Sequence, residues 1–90
     1  MTSDISSSRI SAIRSRLTRA LDPQLLEITD ESHLHAGHAG ARDGRGHFHV
    51  HIASAHFSGL SRLAQHRLVY DALGDLMTTD IHAVRISAQL

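Results

Sequence analysis

Apolar residues Ile10, Ile13, Leu17 and Leu21 recur at spacings of three and four, which places them on one face of a helix. Asp22-Pro23 closes that helix, because proline disfavours helical geometry in the residue before it. The preceding "MTSDISSS", residues 1–8, is polar and is expected to be a flexible N-terminus in which one serine serves as N-cap, leaving a single domain over 9–90. The period then changes. "QLLEITD", 24–30, reads as a strand with Leu26 and Ile28 on one face, and Gly37, Gly40, Gly44 and Gly46 mark a long loop. In "HFHVHI", 47–52, strict alternation sends Phe48, Val50 and Ile52 to one face and His47, His49 and His51 to the other, so the second strand, about 47–54, is half buried. "HFSGLS" breaks the pattern, and Ser61 can cap a second helix over 62–77 whose stripe is Leu68, Val69, Ala72, Leu73, Leu76 and Met77. "IHAVRISA" gives a third strand with His82, Val84, Ile86 and Ala88 sharing a face, which puts the His82 imidazole at the rim of the core.

The order is helix, strand, strand, helix, strand. Each helix has one apolar stripe to cover and each strand one apolar face, so the economical architecture is α+β, with two helices packed on one face of a three-stranded mixed sheet. Ninety residues suffice for one core and not for two. That core is aliphatic, since the only aromatics are Phe48, Phe57 and Tyr70.

Charge excludes little and favours little. Nine arginines balance nine acidic residues, and lysine is absent, which gives weak support to a phosphate-driven nucleic-acid binder. Arg9, Arg14, Arg16 and Arg19 read as a solvated helix face. Their segment is Ser- and Arg-rich and acid-poor, as transit peptides are, but removing it would take the first helix from an already small domain. No apolar run approaches the roughly 20 residues of a membrane span, so a soluble, cytoplasmic chain is expected. The absence of cysteine excludes disulfides, thiol catalysis and a self-contained thiolate metal site.

Histidine is the unusual residue: nine in 90. "DESHLHAGH", 30–38, carries His33, His35 and His38 at the end of the first strand and the start of the glycine-rich loop, where side chains can reach an ion. The spacing alone is weak, and a solvated loop is the plainer reading. A zinc ladder on His47, His49 and His51 competes with the wet face of an ordinary strand. "GHAG", 37–40, fits the GxxG of nucleic-acid clamps, but it joins two strands and holds no basic residue, so the match is read as accidental. No nucleophile elbow or paired acid and base is present, and an enzyme is not expected.

Taken together, "DESHLHAGH", "HFHVHIASAHFSGLSRLAQHRLVYDAL" and "IHAVRISA", with F-x-G-x-x-x-L, "QHRLVY" and I-H-A in order, resemble the BolA family over about residues 9–88. The resemblance implies an αββαβ, class II KH-like fold, often with a short extra helical turn before the last strand. It implies a heterodimer with a monothiol CGFS glutaredoxin that shares a [2Fe–2S] cluster, the glutaredoxin cysteine and glutathione supplying thiolates. By position, His82 in I-H-A matches the family's most characteristic ligand, and His35 the histidine of D-x-S-x-x-H, with His38 as its alternative. His66 and Arg67 match the family's R-H-R near the partner-facing surface, where Gln65 here removes one positive charge. No cluster is expected in the isolated chain, whose apo form would be a monomer or weak dimer. The other function that the resemblance carries is DNA-binding regulation, with Arg62 and Arg67 on the second helix as its candidate surface.

Overall fold

The computed structural model describes residues 3–32 and 46–89. Helix α1 spans Ser3–Leu21, followed by strand β1 over Leu25–Asp30 and strand β2 over Gly46–Ala53. A single 3₁₀ turn over Ala55–Phe57 leads to helix α2, Arg62–Leu73, the short helix α3, Leu76–Thr79, and strand β3, Ile81–Gln89.

Helix α1 buries Ile13, Leu17 and Leu21, the face its periodicity defines, with Ile10 packed against them. It begins at Ser3, so most of the segment expected to fray is helical; once a helix is nucleated, each added residue gains a hydrogen bond at low cost. It stops at Asp22, which takes a positive φ of 44° ahead of Pro23 and donates its N–H to the Thr18 carbonyl at 3.1 Å. Aspartate tolerates this left-handed conformation better than most residues.

Ser61 caps α2 as its position suggests, its hydroxyl accepting from the Ala64 N–H at 3.1 Å. The single helix expected over 62–77 is broken, however, at Gly74, whose φ of 53° ends α2. Arg16 of α1 holds the break: one guanidinium nitrogen donates to the Leu73 carbonyl at 3.0 Å and another to the Asp75 carboxylate at 2.8 Å. Helix α3 then carries Leu76 back to the core, so the apolar stripe survives the interruption.

The sheet has order β1-β2-β3, antiparallel between β1 and β2 and parallel between β2 and β3. Phe48, Val50 and Ile52 of the central strand face the helices, with Leu26 and Ile28 on one side and Val84, Ile86 and Ala88 on the other. At the start of β3 the alternation slips. Gly46 pairs with Ile81 but His47 pairs with Ala83, which leaves His82 as an extra residue in a bulge. One extra residue reverses the sidedness of everything before it. Ile81, not His82, is therefore the buried core residue, and His82 is exposed, a correction to the core-rim position read from the alternation.

Candidate functional site

The three ends of the sheet nearest this bulge belong to different parts of the chain. β1 finishes at Asp30, β2 starts at Gly46, and β3 starts at Ile81. Backbone bonds tie them together: Glu31 donates to the His47 carbonyl at 2.7 Å, and Gly46 donates to the Asp80 carbonyl at 2.9 Å. The Ser32 hydroxyl accepts from the His47 N–H at 3.1 Å, while the Ser32 N–H donates to the Asp30 carboxylate at 2.8 Å. Glycine is needed at Gly46 because a Cβ there would lie 2.5 and 2.8 Å from two carbons of the Phe48 ring.

His47 sits inside this knot, only 7% exposed, and its ring centre lies 5.1 Å from that of exposed His82, the planes tilted by 49°. A cleft of about 320 Å³ opens beside them, lined by Glu31, His47, Phe48, Ala83, Val84 and Arg85. Arg85 reaches from β3 across the central strand to Glu31, its nitrogens 2.7 and 3.4 Å from the two carboxylate oxygens. That hydrogen bond, and then the Glu31 charge, raise the Arg85 pKa above its ordinary value, so the guanidinium holds its proton over the face of the sheet.

The remaining histidines of the strand do not join this group. His49 Nε2 lies 2.9 Å from the Ser87 hydroxyl on β3, and His51 Nδ1 lies 3.2 Å from the Glu27 carboxylate on β1. The ladder therefore divides into three different environments instead of converging on one ion. Among the described residues, no group of three or more His, Cys, Asp and Glu side chains could hold a metal ion. His33, His35, His38 and the "GHAG" stretch lie outside the described residues.

His66 and Arg67 stand on α2. His66 is half-buried in a second cleft of about 330 Å³ with Arg62, Ile86, Ser87 and Ala88, whereas Arg67 is exposed. Leu60, Leu63 and Tyr70 are exposed large apolar side chains nearby in sequence, Leu63 the most open at 61%. This second cleft lies along the same strand as His82, with Ser87 about 16 Å farther on at the rise of an extended chain. Sequence reasoning did not pair His47 with His82, nor Glu31 with Arg85. Both pairings depend on strand order and on the bulge, and neither has a local signal.

A mixed three-stranded sheet with helices on one face and a pair of imidazoles at one end define a small α+β domain. The chain belongs to the BolA family: the family described as BolA-like protein matches residues 17–90. SufE-like protein 1, chloroplastic/mitochondrial, from Arabidopsis thaliana is 44% identical over 87 residues, covering 91% of this chain and 24% of that protein. BolA-like protein 1 from Mus musculus is 42% identical over 78 residues, covering 87% of this chain and 55% of the relative. The chain thus spans from about a quarter to about half of these curated relatives. Among solved structures, the BolA domain of SufE1 from Arabidopsis thaliana aligns with a TM-score of 0.80 at 42% identity, covering 91% of both chains. These findings bear out the resemblance carried by the sequence motifs and the α+β arrangement it implied. Among the described residues, no helix is long and apolar enough to cross a membrane.

Proposed function

We propose that this chain is a non-enzymatic iron–sulfur partner of a monothiol glutaredoxin, forming a heterodimer that shares a [2Fe–2S] cluster for cluster trafficking or iron sensing. His82 supplies one imidazole and His35 the second, with His38 as its alternative. His66 and Arg67 lie on the surface that meets the partner.

One observation carries this reading. The bulge turns His82 out of the core at the sheet end where the segment 33–45 both departs, after Ser32, and returns, at Gly46. His35 is three residues beyond Ser32, a reach of up to about 10 Å for extended chain. The donor chemistry fits as well. With no cysteine, this chain offers nitrogen ligands to one iron and leaves the thiolates to glutaredoxin and glutathione. A cluster with imidazoles in place of two thiolates is less negative and has a raised potential, which suits exchange over permanent storage. The chain's own residues orient the ligand: Ile81, fully buried, anchors the strand immediately before His82, and the Gly46 to Asp80 bond fixes the turn preceding it.

Mixing the chain with a monothiol glutaredoxin, glutathione, iron and sulfide should yield a heterodimer whose visible spectrum differs from that of the glutaredoxin homodimer. His82→Ala should abolish the difference; an unchanged spectrum would remove His82 as a ligand. The DNA-binding reading rests on exposed Arg62 and Arg67, and it requires an affinity that falls steeply with ionic strength.

A further inference from the structure

With the ladder of His47, His49 and His51 divided, His47 is left without a role, yet it is the imidazole that stands against His82. Their ring centres are 5.1 Å apart. Two imidazoles bound to one tetrahedral ion, with nitrogens at about 2.0–2.1 Å from the metal, hold their ring centres about 5 Å apart. The two rings are therefore at chelating separation before any ion arrives.

The surroundings make this more than a chance approach. Both backbone polar groups of His47 are held from the β1 side, its N–H by the Ser32 hydroxyl at 3.1 Å and its carbonyl by the Glu31 N–H at 2.7 Å. Strand pairing restrains the backbone further, since His47 pairs with Ala83 of β3. His82 is exposed, so an ion can reach the pair from solvent. Glu31 lines the same cleft, but both its carboxylate oxygens engage Arg85. Among the described residues lining the cleft, the one carboxylate is thus held by Arg85, and the pair offers imidazole nitrogens.

We propose that His47 and His82 form a two-imidazole chelate for a single transition-metal ion of the zinc, copper or nickel type, its remaining coordination positions filled by water or by donors from another molecule. Nitrogen donors without carboxylates select such ions over magnesium and calcium. Two protein ligands hold an ion less tightly than the four of a structural zinc site, so the ion is exchangeable. The chelate shares His82 with the cluster reading, but it names His47 instead of His35 as the second nitrogen and needs no glutaredoxin.

The test uses the untagged, uniformly ¹⁵N-labelled chain and zinc chloride, read by long-range ¹H–¹⁵N spectra of the histidine rings. The His47 and His82 ring nitrogens should shift together and saturate at one equivalent of zinc. His82→Ala should abolish the His47 response, and the double variant His35→Ala, His38→Ala should leave it intact. Because the wild-type spectrum itself reports on His47, no substitution of that buried ring is needed. Movement of His82 together with His35 or His38 while His47 stays still would overturn the proposal, as would the absence of any saturable response. The two readings fail separately: a heterodimer spectrum indifferent to His82 removes the cluster assignment, whereas a silent zinc titration removes the chelate alone.

Discussion

Replacing Ser54 by alanine tests how α1 is fastened to the sheet. Ser54 follows β2 and is fully buried. Its hydroxyl donates to the Leu21 carbonyl at the end of α1 at 2.6 Å and accepts from the His56 N–H at 3.1 Å, closing the 3₁₀ turn. Its own N–H donates to the Gln89 carbonyl of β3 at 3.1 Å, a bond that alanine keeps. Ser54→Ala therefore removes two side-chain bonds and leaves the backbone bond in place. Each bond is worth about 0.5–1.5 kcal/mol net, and a buried acceptor left unsatisfied costs about 1–3 kcal/mol. Leu21 is itself only 3% exposed, so water has poor access to its carbonyl and the larger figure applies there. The expected loss is about 2–3 kcal/mol, a large share of the roughly 5–15 kcal/mol that holds a domain folded. For a domain of this size that lowers Tm by roughly 10–20 °C. Equilibrium urea unfolding should show a lower midpoint at an unchanged m-value. Ser58→Ala, an exposed control on the same turn, should stay within about 0.5 kcal/mol of the parent. A Ser54→Ala loss no larger than that of the control would refute the claim that this hydroxyl joins α1 to the sheet.

Two further perturbations read other parts of the fold. Gly46→Ala places a methyl group against the Phe48 ring at 2.5–2.8 Å, so the ring or strand must shift. The expected cost is about 1–3 kcal/mol by thermal unfolding, accompanied by chemical-shift changes at His47 and His82; wild-type stability and shifts would show that the bulge does not depend on glycine. Asp75→Asn removes a carboxyl held below its ordinary pKa by a hydrogen bond from Arg16 and, secondarily, by the Arg16 charge. A depressed folded-state pKa contributes stability that is present above the unfolded value and lost as pH falls through the folded one. The parent should thus lose stability more steeply than the variant below about pH 4, and parallel acid-unfolding curves would disprove the coupling.

The parts of the fold readable in sequence are those with an unbroken period. Ile13, Leu17 and Leu21 face the core because nothing interrupts their spacing, and Phe48, Val50 and Ile52 do so because their strand is continuous. Local chemistry also reads well where it has one meaning, as with Ser61 ahead of a helix. Legibility fails where an interruption preserves the pattern. Leu73 and Leu76 remain in phase across Gly74, so apolar spacing alone cannot distinguish one helix from two. The family resemblance supplies that break, since it carries the extra helical turn. At β3 the failure is one of parity, because alternation counted back from Val84 assigns His82 to the core and the bulge gives that place to Ile81. Ser54 is missed for another reason: a small polar residue after a strand looks like loop, and its partner, Leu21, is 33 residues away.

The position of the candidate site follows from strand direction. Because β2 and β3 are parallel, their starts lie side by side, and because β1 and β2 are antiparallel, the end of β1 joins them. Three chain segments consequently meet at one end of the sheet: the approach to the 33–45 segment, the exit from it, and the bulge bearing His82. Were β3 antiparallel to β2, His82 would lie at the far end of the sheet, beside Ala53, and neither His47 nor a histidine in 33–45 could approach it. The bulge completes the arrangement by a single residue. Without it, His82 would replace Ile81 in the core, and an imidazole would have to be satisfied among aliphatic side chains. Parallel pairing brings His47 and the two ends that flank residues 33–45 to the start of β3, and the one-residue slip makes His82 accessible there.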